Sequence, residues 1–185
     1  MRVVGDSLDR ASQEAFTRPI PKSAGAQMRY LVRRHKGSTR AVASLLGVSQ
    51  RTVERYVKDQ FKRPKTDLAG RMETEVKRRW QPLVRKRARD KAAKSTGLVI
   101  ETRARFGFTA APGTSDDGRM RRITQHLPPE FAGRLLAAQD AGASETELQQ
   151  IAADGLGEVY FRDSGSRADG LQVEFTDIDY IDVAL

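Results

Sequence analysis

Two hydroxyl side chains precede two carboxylates in a stretch rich in turn-forming residues. Thr114 and Ser115 follow a Pro-Gly pair and are followed by Asp116 and Asp117. A carboxylate pair can hold a divalent metal or ease the deprotonation of a neighbouring hydroxyl nucleophile. The same residue types are common in turns, where their side chains bond to the local backbone. Taken alone, these residues leave both a reactive hydroxyl and an ordinary turn open.

A second pattern, between Ser38 and Lys58, has the spacing of a helix-turn-helix. Ser38 can cap a first helix, and Gly47 can supply the left-handed residue that ends it. The small Ala43 lies four residues before the glycine and Val53 lies six after it, where two helices approach each other and share a core. An ordinary helical hairpin with a solvated, charged face is the alternative interpretation.

In a helix-turn-helix, the second helix enters the major groove of DNA and reads base edges near its N-terminus. We therefore expect Gln50, Arg51 and Arg55 to contact DNA, and the residues at the start of the first helix to hold a phosphate. The complete set of predicted DNA-binding residues is Ser38, Thr39, Arg40, Gln50, Arg51, Thr52, Arg55 and Lys58.

Charge is distributed unevenly along the chain, which has a formal net charge of +9. Residues 29–94 carry 21 Lys and Arg against 6 Asp and Glu, a net charge of +15. Residues 145–185 carry 2 against 10, a net charge of −8. Because unneutralised like charge opposes folding, the basic segment favours DNA binding over a plain helical hairpin. The acidic end suits a protein partner, a solvated edge or an electrostatic clamp on the basic half.

Composition excludes several kinds of site. The chain has no cysteine, which rules out disulfides, thiolate zinc sites and cysteine nucleophiles and fits a reducing cytoplasm. His35 and His126 are the only histidines, so we expect no histidine-built metal site. No apolar run has the length of a signal peptide or of a membrane span, and we expect a cytoplasmic protein with no membrane partner.

Residue periodicity predicts an α+β fold in two parts. We expect an all-α, basic DNA-binding domain over residues 1–94, with the helix-turn-helix at 38–58. Within it, short helices are predicted at 7–17 and 24–35. A long basic helix is predicted from 67 to 94, capped by Asp67 and kinked or split at Pro82. Trp80 can be a core anchor or stack on a base, and the core is favoured.

The second part, residues 95–185, is predicted to combine a small sheet with a helical hairpin. Strands are expected at 96–110 and 119–127, and near the C-terminus, where apolar and polar residues alternate from 171 onward. Helices are expected at 128–142 and 144–161, the latter starting with a Ser-x-x-Glu capping box. A loop over 109–118 and the acidic C-terminal segment complete this domain.

Four stretches together resemble the telomere-protecting terminal proteins, called Tpg, of linear actinomycete (Streptomyces-type) chromosomes and plasmids. These stretches are AFTRPIPKSAGAQMRYLV, GSTRAVASLLGVSQRTVERYVK, RFGFTAAPGTSDD and LQVEFTDID. The resemblance covers essentially the whole chain. It implies a protein that primes end patching and becomes covalently attached to the 5′ DNA end.

The resemblance also implies which hydroxyl primes. The AAPGT context of the family's linkage threonine matches residues 110–114, so Thr114 is the expected priming residue, with Ser115 and Thr109 as fallbacks. Asp116 and Asp117 are expected to assist without binding the catalytic metals. The nucleotide, dCTP if the telomere begins with cytosine, and Mg²⁺ would enter with the polymerase. No cofactor and no metal site is intrinsic to the chain in this reading.

The expected partners are telomeric DNA (its single-stranded 3′ overhang and flanking duplex), a companion telomere-associated protein and a DNA polymerase, at the nucleoid. The protein would not be an enzyme in the turnover sense. One rival is a helix-turn-helix transcriptional regulator or plasmid-partition protein without a covalent link. The other, weaker rival is a metal-dependent nuclease using Asp116, Asp117 and Glu101.

Overall fold

The computed structural model describes residues 3–109, 120–161 and 172–185, which form helices and one three-stranded antiparallel sheet. The predicted α+β class is confirmed at this level. The helices are α1 (Val3–Glu14), α2 (Ala24–Arg34), α3 (Thr39–Leu46), α4 (Gln50–Val57), α5 (Thr66–Arg79), α6 (Pro82–Lys91), α7 (Pro129–Asp140) and α8 (Glu145–Leu156). The strands are β1 (Leu98–Thr109), β2 (Met120–Leu127) and β3 (Gln172–Ala184). Single π-helical turns follow α6 at Ala92–Thr96 and α8 at Gly157–Phe161.

The described residues form two compact units. Residues 17–82, with α2 to α5, form what we call the helical unit, and residues 3–16 together with 83–185 form the sheet unit. This division differs from the predicted domains 1–94 and 95–185. Both α1 and most of α6 belong to the sheet unit, so the helical unit is an insertion in the sequence of the sheet unit.

The three strands have the order β2-β1-β3 and pair antiparallel. Alternate residues of β1 point into the core, and Ile100 and Phe106 are fully buried there. Apolar side chains of α1, α7 and α8 fill the same core, including the fully buried Leu8, Leu135 and Leu148. One face of the sheet is therefore covered by helices, which explains the alternation of buried and more exposed residues along β1 from Leu98 to Phe106.

Helix α1 belongs to the sheet unit because it satisfies polar groups there. The buried Ser7 hydroxyl donates to the carbonyl of Ile181 at 3.0 Å and accepts from the N–H of Val183 at 3.1 Å. Since β3 is an edge strand, these are backbone groups that no neighbouring strand can pair. Conversely, the Glu145 carboxylate of α8 accepts from the N–H of Val4 at 2.6 Å, at the start of α1.

The helical unit has a core of its own, formed by α2 to α5. Its fully buried side chains are Met28, Leu31, Val42, Leu46, Val53, Met72 and Val76. Trp80 packs against this core, its ring is tilted by 59° against that of Tyr30 with centroids 4.8 Å apart, and it donates to the Arg18 carbonyl at 3.0 Å. The prediction that Trp80 is a core anchor is confirmed.

The long basic helix is split, as predicted from Pro82. Helix α5 ends at Arg79, Gln81 has a positive φ of 40°, and α6 starts at Pro82. The prediction that Asp67 caps this helix is wrong. The N-cap is Lys65, which makes no capping side-chain hydrogen bond, and Asp67 lies in the first turn, where it pairs with Arg71 at 3.0 Å.

The predicted helical hairpin is present as α7 and α8. Ser144 and Glu147 form the predicted capping box, with each side chain bonded to the backbone N–H of the other residue. The pKa of Glu147 is lowered mainly by the hydrogen bond that its carboxylate accepts from the backbone N–H of Ser144, and also by the one from the Ser144 hydroxyl. Helix α8 ends at Leu156, earlier than predicted, because the chain continues as a π-helical turn.

We predict that Ser7→Ala destabilises the sheet unit. The substitution leaves the carbonyl of Ile181 and the N–H of Val183 buried without a partner, a cost of about 1–3 kcal/mol. Guanidinium unfolding should show the lower free energy, and the Val183 amide should exchange its hydrogen faster. Ser95→Ala is the control, since this exposed hydroxyl only bonds the Lys91 carbonyl in its own helix. Equal protection of Val183 in wild type and Ser7→Ala would contradict the proposed role.

Candidate nucleic-acid interface

Helices α3 and α4 are joined by three residues, starting with Gly47 at φ 60° and ψ 40°. This left-handed conformation reverses the chain tightly, and the N–H of Val48 returns to the Ala43 carbonyl at 3.0 Å. Ala43 is 5% exposed and Val53 is fully buried, so the small residue and the shared core residue lie where the spacing predicts them.

Both helices begin with a serine cap, which gives two predicted residues a structural role. The Ser38 hydroxyl accepts from the N–H of Ala41 at 3.1 Å, and the Ser49 hydroxyl accepts from the N–H of Thr52 at 3.2 Å. The Thr52 hydroxyl is itself 2.9 Å from the Ser49 hydroxyl. Ser38 and Thr52 thus help to fix the helix starts, where further backbone N–H groups face outward.

One side chain joins the N-termini of the two helices. The Gln50 amide donates to the Thr39 hydroxyl at 3.1 Å and to the Glu54 carboxylate at 3.0 Å. Thr39 and Gln50, predicted separately as DNA contacts, are therefore neighbours. Glu54 is not among the predicted DNA contacts, although its position four residues after Gln50 places both side chains on one face of the helix. All three side chains lie at the surface and can exchange these bonds for bonds to a ligand.

The predicted arginines differ in their surroundings. Arg40, Arg51 and Lys58 are exposed, and none has an ion pair with any residue that the structure describes. Arg55 is half-buried, and its guanidinium lies over the ring of Phe61, 5.1 Å from the centroid. No pattern in the sequence predicted this contact. Arg55 therefore has a packing role beside any contact with DNA.

The charge imbalance is concentrated in the helical unit. Residues 17–82 hold 17 Lys and Arg against 5 Asp and Glu, a net charge of +12, which leaves −3 for the rest of the chain. The helical unit thus has a surplus of positive charge, although the predicted division at residue 94 separates charge more sharply, with +16 for residues 1–94 and −7 for 95–185, because residues 83–94 are also basic. Such a surplus produces a positive potential that attracts polyanions.

Four of the five acidic residues of the helical unit lie after α4 in the sequence. Asp59 pairs with Arg29 at 2.6 Å, while Asp67, Glu73 and Glu75 pair with cations within α5. Glu54 is the only acidic residue on α3 or α4, and the end of α2 has none. Six cations of this region form no ion pair with a residue that the structure describes: Arg33, Arg34, Lys36, Arg40, Arg51 and Lys58.

Tyr30 anchors the base of this cationic region. Its hydroxyl donates to the Arg79 carbonyl at the end of α5. Burial raises the pKa of Tyr30, although the nearby Arg34, Arg79 and Arg33 act in the opposite direction. The tyrosine therefore stays a neutral hydrogen-bond donor and holds α2 against α5.

The candidate priming residues lie elsewhere in the sequence. Thr114, Ser115, Asp116 and Asp117 lie outside the described residues, and so does the loop 109–118 apart from Thr109 at the end of β1. The arrangement of hydroxyls and carboxylates there stays a prediction.

Glu101, the third carboxylate of the nuclease alternative, is engaged within the sheet. It accepts from Arg122 at 2.6 Å and from the Tyr180 hydroxyl at 3.0 Å. The hydrogen bond from Arg122, followed by that from Tyr180, lowers the pKa of Glu101. Among the residues that the structure describes, no three His, Asp or Glu side chains are grouped as metal ligands. These contacts give Glu101 a structural role.

No protein-family model, curated protein or solved structure matches this chain. Within the described ranges, every helix is too short or too polar to cross a lipid bilayer.

The turn between α3 and α4 gives a prediction with opposite signs for two glycines. Gly47→Ala should destabilise the helical unit by roughly 1–2 kcal/mol, because a side chain disfavours the left-handed conformation. Gly70→Ala should stabilise it by roughly 0.5–1 kcal/mol, because Gly70 lies inside α5 with open space around it. Trp80, the only tryptophan, reports urea unfolding of this unit. Shifts of the same sign would contradict the described backbone.

Proposed function

We propose that the helical unit binds DNA, with α3 and α4 as a helix-turn-helix and α4 in the major groove. The observation that carries the proposal is the Thr39–Gln50 contact, which places the N-termini of both helices side by side in a unit with net charge +12. Two adjacent helix N-termini present outward N–H groups and positive dipole ends to a phosphate backbone.

The geometry suggests a role for each exposed side chain. Gln50 has the amide that pairs with an adenine edge, and Arg51 has the guanidinium that pairs with guanine. Arg40, one residue into α3, suits a backbone phosphate. Glu54 holds Gln50 before DNA arrives, which lowers the entropy cost of ordering that side chain.

We predict that Arg51→Ala weakens DNA binding by about 1–3 kcal/mol if the guanidinium reads a base, with relaxed sequence preference. If it holds a phosphate, the slope of log K against log salt should fall by about 0.9 on duplex DNA. Arg78→Ala is the matched control, because this exposed arginine is already paired with Glu75. An Arg51→Ala variant with unchanged affinity and slope would remove α4 from the interface.

We further propose, on the resemblance described above, that the protein primes DNA synthesis at a telomere. The Thr114 hydroxyl attacks the α-phosphate of dCTP, a phosphoester bond forms, and pyrophosphate leaves with the hydroxyl proton passing to a base in the polymerase site. The polymerase supplies the Mg²⁺ ions and extends from the nucleotide. Asp116 and Asp117 would orient the hydroxyl. The chain would then remain attached to the 5′ end.

This role gives the two units separate partners. The helical unit would hold the telomeric overhang or the flanking duplex, and the sheet unit would meet the polymerase and the companion telomere-associated protein. The acidic character of residues 145–185 supports the second assignment, since a negative surface repels DNA and attracts basic protein surfaces.

We predict that Thr114→Ala abolishes covalent labelling and leaves DNA binding intact. With telomeric template, companion protein, polymerase and labelled dCTP, wild type should retain label through denaturation, because the phosphoester is covalent. Thr114→Ser keeps the nucleophilic oxygen and should retain part of the activity.

Two results would contradict this assignment. Undiminished labelling of Thr114→Ala would move the link to another hydroxyl, which phosphoamino-acid analysis would identify, with Ser115 first. Absence of label in wild type, together with dimeric binding to a palindromic duplex, would favour a transcriptional or plasmid-partition regulator instead.

A further inference from the structure

A cationic cleft of the helical unit is lined by residues other than the predicted DNA contacts. Its volume is about 560 Å³, and Lys22, Lys62 and Arg63 all line it. None of these three cations forms an ion pair with a described residue, whereas the one acidic residue of the lining, Glu73, is paired with Lys77 at 2.6 Å. The cleft therefore combines an open volume with uncompensated positive charge.

One wall of the cleft is the extended segment between α4 and α5. Residues 61–65 contain no helix or strand, and they carry Lys62, Arg63 and Lys65, all exposed. Pro64 favours this extended backbone. Because the segment binds none of its cations to an acidic group of the described chain, their charges remain directed to solvent.

The other walls add to the positive potential. Ser23 and Ala24, at the start of α2, and Thr66, at the start of α5, line the same cleft. The positive ends of two helix dipoles thus lie beside the three cations. The start of α5 has no side-chain cap, which leaves its first backbone N–H groups without an internal side-chain acceptor.

The root of the segment is fixed to α4. Phe61 packs edge-on against Tyr56 with ring centroids 5.6 Å apart. The Arg55 guanidinium lies over the ring of Phe61. The segment therefore starts from a fixed position relative to α4.

We propose that this cleft binds the phosphodiester backbone of duplex DNA next to the stretch that α4 contacts. Lys22, Lys62 and Arg63 are the phosphate ligands, and their contacts are independent of base sequence. The inference rests on the proposed DNA-binding function and extends it to residues that the helix-turn-helix pattern does not include.

The test compares two double variants of the full chain that lose the same charge. Lys62→Ala/Arg63→Ala removes two cleft cations, while Arg71→Ala/Arg78→Ala removes two cations of α5 already paired with acids. On a duplex of mixed sequence, the cleft variant should lower the slope of log K against log salt by about 1.8, a loss on the order of 50-fold at about 0.1 M salt. The control should keep the wild-type slope, and circular dichroism should show both folded.

Charge rather than shape should decide the effect, so Lys62→Arg/Arg63→Lys should keep the wild-type slope. Equal slopes for the cleft variant and the control would overturn the proposal. So would a cleft variant that loses affinity for inorganic phosphate or pyrophosphate in calorimetry while its DNA slope is unchanged, because the occupant would then be a free phosphate.

Failure of the proposed function is seen in a separate measurement. Protection of guanine N7 from dimethyl sulfate reports a protein in the major groove. If wild type binds with the expected slope but protects no N7, the placement of α4 is wrong and the cleft remains. If wild type binds no duplex at any salt concentration, both proposals fall.

Discussion

The positive charge of the helical unit, which its own acidic side chains do not neutralise, is the constraint on which the rest of this structure depends. With 17 cations and 5 anions in 66 residues, the unit folds against its own repulsion. It does so by placing nearly every acid beside a cation on α5 or at Asp59. The same placement leaves the cations of α3, α4 and the end of α2 without ion pairs to described residues, and these cations form the surface proposed to bind DNA.

The charged unit is held together where its chain enters and leaves. The Gln81 side chain accepts from the N–H of Thr17 at 2.9 Å and donates to the Thr17 hydroxyl at 3.1 Å. Trp80 adds its bond to the Arg18 carbonyl. Entry and exit are therefore adjacent, as an inserted domain requires, and the core of α2 to α5 closes without side chains of the sheet unit.

Local patterns in the sequence predicted most elements, because their causes are local. The turn at Gly47, the cap at Ser144 and the break at Pro82 each depend on neighbouring residues, and the structure has all three. Helix α1 was also predictable as a helix. Its assignment to the sheet unit was not predictable, because apolar residues on one face of a helix indicate only that the helix packs against some core. Which core it joins depends on Ser7 meeting the edge of β3, 174 residues away.

The candidate site also has some features that the sequence predicts and others that only the structure shows. The spacing of Ala43, Gly47 and Val53 indicated two packed helices, and these residues lie as expected. The position of Arg55 over Phe61 and the cleft beside Lys22 could not be read from spacing, since both depend on how the segment after α4 folds back. Lysine and arginine in a linker are equally expected as solvated residues. Their shared role is suggested only by the structure, in which Lys62 and Arg63 line the same cleft as Lys22.

Separation of the two cores also determines how functional experiments can be interpreted. The residues proposed to hold DNA lie in a unit whose core contains no described residue of β1 or β2, the strands between which Thr114 lies in the sequence. A substitution at Thr114 therefore removes none of the described core side chains of the helical unit, and distant sites generally contribute independently to stability. Loss of a covalent link with unchanged DNA affinity would then reflect lost chemistry at Thr114, because unchanged affinity shows that the helical unit is still folded.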